Sequence, residues 1–290
     1  MLKLNKLEKF MWRHQRKILL ICWLLAVLPS IALNFVDITS FFNFAFFMII
    51  EAFVLTVAIY IIILSSRIRK FARVYNYQLN MQAFLDGTNI LIEATNPKHK
   101  SQMSASCYNR IITLYIMGDY DRAEQECKCF LQTFGHNNLV FTIKIYIKLA
   151  QIALIKENYE AYNEYIIKIQ TLLETVTGLK FIKNALNYDY VNFVMFTDAM
   201  LCNKNINEAE YEAKVFEILN TSHLTGKPRK KEIMPVEYFS AYYKLFLFFK
   251  NRANTEKATF YANLLMRFGN VQLVAYREAK EYLENANRSN

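Results

Sequence analysis

Hydrophobic and polar positions alternate in two different ways along this chain. From Ile18 to Val36 no residue is charged, and from Phe41 to Leu64 only Glu51 is. Apolar runs of this length predict membrane-spanning helices. At about 1.5 Å per residue they would reach roughly 28 and 36 Å, against a hydrocarbon core of about 30 Å. The short Asp37-Ile38-Thr39-Ser40 turn lies between them, so the pattern predicts a helical hairpin with spans over 18–36 and 41–64. After Leu64 the period is that of an amphipathic helix. Arg67, Phe71, Tyr75, Leu79 and Phe84 carry the second span on as a stalk, up to a break at Asp86-Gly87. A short helix over Ile90–Ala94 then stops before Asn96-Pro97, because the residue before a proline avoids helical geometry.

From Ser101 onward the pattern predicts consecutive amphipathic helices, with the few glycines and prolines mostly at their junctions. Stretches such as Ile143 to Ile147 alternate like strands but sit inside longer runs of helical period. The expected fold class is all-α. A basic leader covers 1–17, a transmembrane hairpin 18–64, a helical stalk and linker 65–100, and a helical domain 101–290.

Charge changes this picture by where it falls. The net charge is +10, a value that could suggest nucleic acid, but residues 1–17 carry +5 and residues 65–75 carry +4. The large helical domain is almost neutral, so no nucleic-acid partner is expected. Basic residues flank the outer ends of both runs and none sits in the turn, the positive-inside pattern that places both termini in the cytoplasm. Trp12, Tyr60 and Tyr75 would suit the membrane interfaces. A competing reading makes the first run a cleaved signal peptide ending near Ser30-Ile31-Ala32, and it leaves the helical domain cytoplasmic as well. With no organelle address visible, an integral protein of a bacterial plasma membrane is the simplest expectation. Five scattered cysteines, an odd number, argue against a disulfide framework and are read as buried thiols.

The segment Tyr108–Leu131 carries Gly118-Asp119-Tyr120-Asp121-Arg122-Ala123, with Leu114, Tyr115 and Phe130 at other packing positions. It resembles a tetratricopeptide repeat, in which two antiparallel helices meet at a short turn and a small residue early in the second permits close approach. Cys107 and Ile111 stand where that family often has Trp and Gly. Weaker copies align at Glu157-Asn158-Tyr159-Glu160, at Asn205 to Ala209 and at Asn254 to Ala258, placing 162, 209 and 258 opposite Ala123. The resemblance implies a helical solenoid of four helix pairs between about Ser101 and Phe268, with a last helix from Asn270 to Asn285 capping its open end.

Catalytic vocabulary is sparse. No phosphate loop, dinucleotide fingerprint, zinc helix or nucleophile elbow occurs, so no catalytic, cofactor or metal residues are assigned. Three groups of residues could carry function instead. Glu51 sits near the middle of the second span, where a carboxylate costs about 2.5–3.5 kcal/mol on insertion scales. Ser30 and Asn34 are its expected polar contacts across the hairpin, and a membrane protein is the alternative partner. Lys227, Arg229, Lys230 and Lys231 form a basic loop that either is simply solvated or meets lipid headgroups or an acidic partner. By the tetratricopeptide resemblance, Tyr108, Ile112, Tyr115, Tyr243 and Leu247 face the groove lined by the first helix of each pair, unless they only pack between helices. That surface lacks the paired lysine and asparagine with which some members hold a peptide carboxylate, so a hydrophobic or helical ligand is expected. The functional expectation is a membrane-anchored scaffold binding a protein or peptide partner. The alternative is an accessory protein for peptide export, sensing or immunity acting through its hairpin.

Overall fold

The computed structural model describes residues 6–32, 41–135, 138–176, 180–201, 205–222, 225, 227–229 and 232–288. Side chains at 15, 16, 23, 25–32, 41–48, 50, 67–70, 72 and 181 lie outside that description. The elements among the described residues are α1 (Lys6–Ala32), α2 (Phe41–Gln78), α3 (Met81–Ala94), α4 (Lys100–Met117), α5 (Tyr120–Phe134) and α6 (Leu139–Ile155). They continue as α7 (Tyr159–Thr175), α8 (Lys180–Met200), α9 (Glu208–Leu219), α10 (Pro235–Asn251), α11 (Thr255–Phe268) and α12 (Val274–Arg288). The protein is all-helical, and one isolated bridge, Thr221 to Pro228, is the extent of extended pairing among these residues.

Helix starts are set by short polar side chains. Asn80, Asp119, Asn138, Asn158 and Asn254 each accept a hydrogen bond from the backbone N–H three residues on, and Asn207 does the same for α9. Such caps satisfy donors that the first helical turn leaves unpaired. The turns before them share one geometry. Gly118, Glu157 and Ala253 all have positive φ, and the next residue's N–H bonds the carbonyl five positions back: Asp119 to Leu114, Asn158 to Ala153 and Asn254 to Phe249. Only the first of these left-handed positions is glycine. Leu79, before Asn80, is a fourth, with φ of 51°.

Cap alignment corrects one expectation from the sequence. Four residues after the caps Asp119, Asn158, Asn207 and Asn254 stand Ala123, Tyr162, Tyr211 and Ala258. Tyr211, not Ala209, is therefore the position that corresponds to Ala123. Ala209 is exposed, whereas Tyr211 is buried, stacks on Phe248 at 3.8 Å and donates its hydroxyl to the Met195 carbonyl. A large ring fills that corner where α5 and α11 bring a methyl group.

α1 and α2 pack antiparallel, with Met11 and Ile18 against Val57, Ile61 and Leu64. Two boundaries differ from expectation. The leader is not a separate segment, since α1 is continuous from Lys6, and its cations meet protein: Lys9 pairs with Glu93 at 3.0 Å and Arg13 donates to the Glu93 carbonyl at 2.8 Å. Cations there favour the C-terminal end of α3. The stalk does not run to Asp86-Gly87 either; it ends at Gln78, and Gly87 lies inside α3. A Cβ at Gly87 would fall 2.1 Å from the Phe71 ring, so the glycine serves close helix packing and not a break. Cys129 is exposed, contrary to the buried-thiol reading, while Cys127 is buried and its thiol is pushed up to about 12; Cys202 lies outside the described residues.

Among the described residues no helix is long and apolar enough to cross a membrane. The runs 18–36 and 41–64 fall in good part on residues or side chains outside that description. Their described portions expose Leu19, Leu20, Ile21 and Leu24 on α1 and Ile49, Phe53, Leu55, Ile59, Ile62 and Ile63 on α2.

In the rest of the chain α4, α6, α8 and α10 stand in sequence on the inside, while α5, α7, α9 and α11 pack outside them. α6 touches α4, α5, α7 and α8, which is why Ile143, Ile145, Ile147, Leu149 and Ile152 can be buried all round the helix. α12 packs chiefly on α11. It returns to the start of the array, where Arg277 donates to the Met117 carbonyl at 2.7 Å and Asn270 donates to the Leu79 carbonyl at 2.9 Å. α2 meanwhile packs on α10 and on α3, and α3 on α4, so α2, α3 and α12 bridge the two ends of the inner row.

The turn geometry generates a stability prediction. A left-handed conformation costs an L-residue roughly 1–2 kcal/mol, which exceeds the roughly 0.5–1 kcal/mol of extra backbone freedom that glycine loses. Ala253→Gly and Glu157→Gly should each raise the unfolding free energy by up to about 1 kcal/mol. Asn158→Ala, which removes a cap, should lower it by about 1 kcal/mol. Denaturant unfolding followed by circular dichroism checks the signs.

Candidate functional site

Closure of the inner helices leaves a cavity of about 420 Å³. Each inner helix presents one face to it at helical spacing: Tyr108, Ile112 and Tyr115 from α4, Lys144, Ile147, Lys148 and Gln151 from α6. α8 supplies Tyr188, Asp189, Asn192, Phe193 and Phe196; α10 supplies Val236, Glu237, Ser240, Tyr243 and Lys244. Tyr75 and Asn76, from the last turn of α2, join the wall with Val274 and Ala275 of α12.

Four of the five residues expected to face a groove, Tyr108, Ile112, Tyr115 and Tyr243, meet at this cavity. Leu247 does not. It lies one turn past the end of the cavity on the same face of α10 and is buried in the largest core cluster. A lysine and an asparagine meet at the cavity, where Lys244 donates to Asn192 Oδ1 at 2.5 Å from the neighbouring helix. Lys148, on α6, donates to Gln151 Oε1 at 2.8 Å and lies 4.5 Å from the centre of the Tyr115 ring. Sequence reading passed over these lysines. The available signal was a polar pair, Lys144 and Lys148, one turn apart in the most apolar helix of the domain.

Carboxylates at the cavity are already engaged. Asp189 pairs with Lys144 at 2.9 Å, and Glu237 is held by both Arg229 guanidinium nitrogens, at 2.5 and 2.8 Å. Lys148 and Lys244 have neutral amide acceptors instead. Burial lowers the Lys148 ammonium to about 8, Asp189 working against the shift, and burial with the nearby Lys148 charge lowers Lys244 to about 8. Burial likewise raises Tyr108, Tyr115 and Tyr243 well above the usual phenol range, so all three stay protonated at neutral pH. Tyr243 donates to Glu278 at 3.0 Å, and burial raises that carboxyl.

The other predicted residues are not brought together. Glu51 is exposed on α2; Asn34 and the Ser30 side chain lie outside the described residues, as do Lys230 and Lys231. Lys227 is exposed, but Arg229 is spent on Glu237 at the start of α10, which corrects its assignment to lipid or an acidic partner. No cluster of His, Cys, Asp or Glu among the described residues could hold a metal ion. No protein-family model, curated protein or solved structure matches this chain.

The lysines predict a pH dependence. Both hold their protons less tightly when folded, at about 8, than the ordinary 10.5, so between these values the unfolded chain binds more protons. Stability therefore rises with pH through that window, by roughly 3 kcal/mol per lysine at most. Between pH 7.5 and 9 the unfolding midpoint of the wild type should climb relative to that of Lys148→Met/Lys244→Met. A constant difference between the two curves would remove the electrostatic account.

Proposed function

We propose that this chain is a membrane-anchored, non-enzymatic binding protein that uses the inner face of a tetratricopeptide-like helical array. The observation that carries the reading is the convergence of Tyr108, Ile112, Tyr115 and Tyr243 on one cavity. Two features support the array: alternating inner and outer helices, and three helix-pair turns of the same geometry. The anchor rests on the sequence of 18–36 and 41–64 and on the exposed apolar side chains of α1 and α2. An apolar surface of this kind is unfavourable in water, and lipid would cover it. Both termini are then cytoplasmic, and the partner is a cytoplasmic or membrane-embedded molecule whose local concentration the anchor raises.

A second reading, an accessory protein for peptide export, sensing or immunity acting through its hairpin, is favoured by Glu51. That carboxylate is exposed among Ile49, Phe53 and Leu55, where lipid alone would solvate it poorly. Crosslinking in native membranes separates the two. Ile112→Trp, which fills the cavity, should abolish the specific adduct, while Glu51→Leu should leave it; the reverse pattern would move function to the hairpin. Alkaline carbonate washing should leave the full chain in the membrane pellet. Release into the supernatant would end the anchored reading.

A further inference from the structure

We propose that the cavity binds a small organic acid, its anionic head between Lys148 and Lys244 and its apolar body against Ile112, Ile116 and Ile147. The inference deepens the binding reading above by naming the ligand class, and it rests on that reading's assignment of the cavity as the binding face.

Three observations lead there. First, the cavity holds more positive charge than its own carboxylates match. Asp189 belongs to Lys144, and Glu237 belongs to Arg229 behind the wall. Lys148 and Lys244 each give one hydrogen bond to an amide oxygen, of Gln151 and Asn192, and an ammonium has three donors. No carboxylate offsets the burial of Lys244, and Asp189, which Lys144 shares, offsets that of Lys148 only in part, so an anion that enters from outside would supply the missing counter-charge. Second, both lysines line the same cavity, Lys148 from α6 and Lys244 from α10. The titratable groups around them are Cys127, Lys144 and Asp189 near Lys148, Tyr188 and Glu237 on the α8–α10 side, and Glu278 behind Tyr243. Protonated Tyr108 and Tyr115 add hydroxyl groups suited to an anion.

Third, size selects against the ligand expected from the sequence. A cavity of about 420 Å³ falls among small-molecule sites, which run from about 300 to 1,000 Å³. One turn of helix, about 5.4 Å long and about 10 Å across with side chains, would fill it alone. An amphipathic helix of several turns exceeds that volume.

Calorimetric titration of the full chain in detergent tests this. The probes are hexanoate, 4-phenylbutyrate and indole-3-acetate, the neutral amide of each, and an acetylated tripeptide with a free C-terminal carboxylate. Lys148→Met/Lys244→Met in the same detergent gives the background from partition into micelles. At pH 7 at least one acid should bind tenfold or more tighter than its amide. That preference should vanish in the double variant and weaken as pH rises to 9.5. Equal binding of acid and amide, undiminished binding by the double variant, or no binding of any acid at millimolar concentration would each overturn the proposal. Tenfold tighter binding of the tripeptide than of every free acid would overturn it in favour of peptide ends. The double variant should melt no lower than wild type by circular dichroism; if it does melt lower, the single Lys148→Gln and Lys244→Gln variants carry the comparison. The titration does not depend on bilayer insertion, so release by carbonate would remove the anchor without touching the ligand, and the converse holds.

Discussion

The return of α12 onto the beginning of the array is the contact on which the rest of the structure depends. Asn270 reaches the Leu79 carbonyl and Arg277 reaches the Met117 carbonyl, joining residues 191 and 160 positions apart. Both acceptors lie at helix C-terminal ends, where carbonyl groups lack partners within the helix. Gly118 allows the approach: a Cβ there would stand 3.0 Å from Val274 and from Arg277. Without this seam the inner helices would form an arc open to water. With it, Lys148, Lys244 and three tyrosines face a partly enclosed space, and desolvation there shifts their protonation.

The same closure ties the cavity to the N-terminal helices. α2 is unbroken from Phe41 to Gln78, and its last turn brings Tyr75 and Asn76 into the cavity wall. Phe71 and Tyr75 pack against Phe84 of α3, with ring centroids 5.0 and 4.9 Å apart, and Lys9 and Arg13 fasten α1 to the end of α3. One helix, α2, therefore contributes both to the pair it forms with α1 and to the cavity wall.

Elements with local causes were legible in the sequence, and those with distant causes were not. Gly118-Asp119 announces a left-handed turn and a cap, and α4 and α5 meet there. Glu157 and Ala253 adopt the same backbone without glycine, so their turns could be found only through the asparagines that follow. Gly87 misled because a glycine needed for contact with Phe71 looks the same in sequence as one that ends a helix. Ala209 misled because the alignment followed residue type, whereas Asn207 fixes Tyr211 at the packed corner. Tyr108, Ile112 and Tyr115 of α4 and Tyr243 of α10 were singled out through the tetratricopeptide resemblance, and all four line the cavity. The lysines were not, since their pairing with Asn192 and Gln151 depends on which helices the closed array sets side by side.

Arg229 shows how far the character of the cavity depends on a residue outside it. The sequence places it in a basic loop with Lys227, facing solvent. In the fold the Thr221–Pro228 bridge turns that loop back, and the Asn220 carbonyl accepts from the Arg229 N–H at 2.7 Å. The guanidinium then takes both oxygens of Glu237, which also accepts from the Met234 N–H as the cap of α10. A bidentate pair of this kind is stronger and more directional than a lysine contact. Its effect is subtractive. Were Glu237 not held there, its carboxylate would be a counter-charge for Lys244 seven residues along the same helix face, and the cavity would be close to neutral. By engaging that carboxylate from behind, a surface loop leaves the cavity with an excess of ammonium charge among aromatic, apolar and already paired polar side chains.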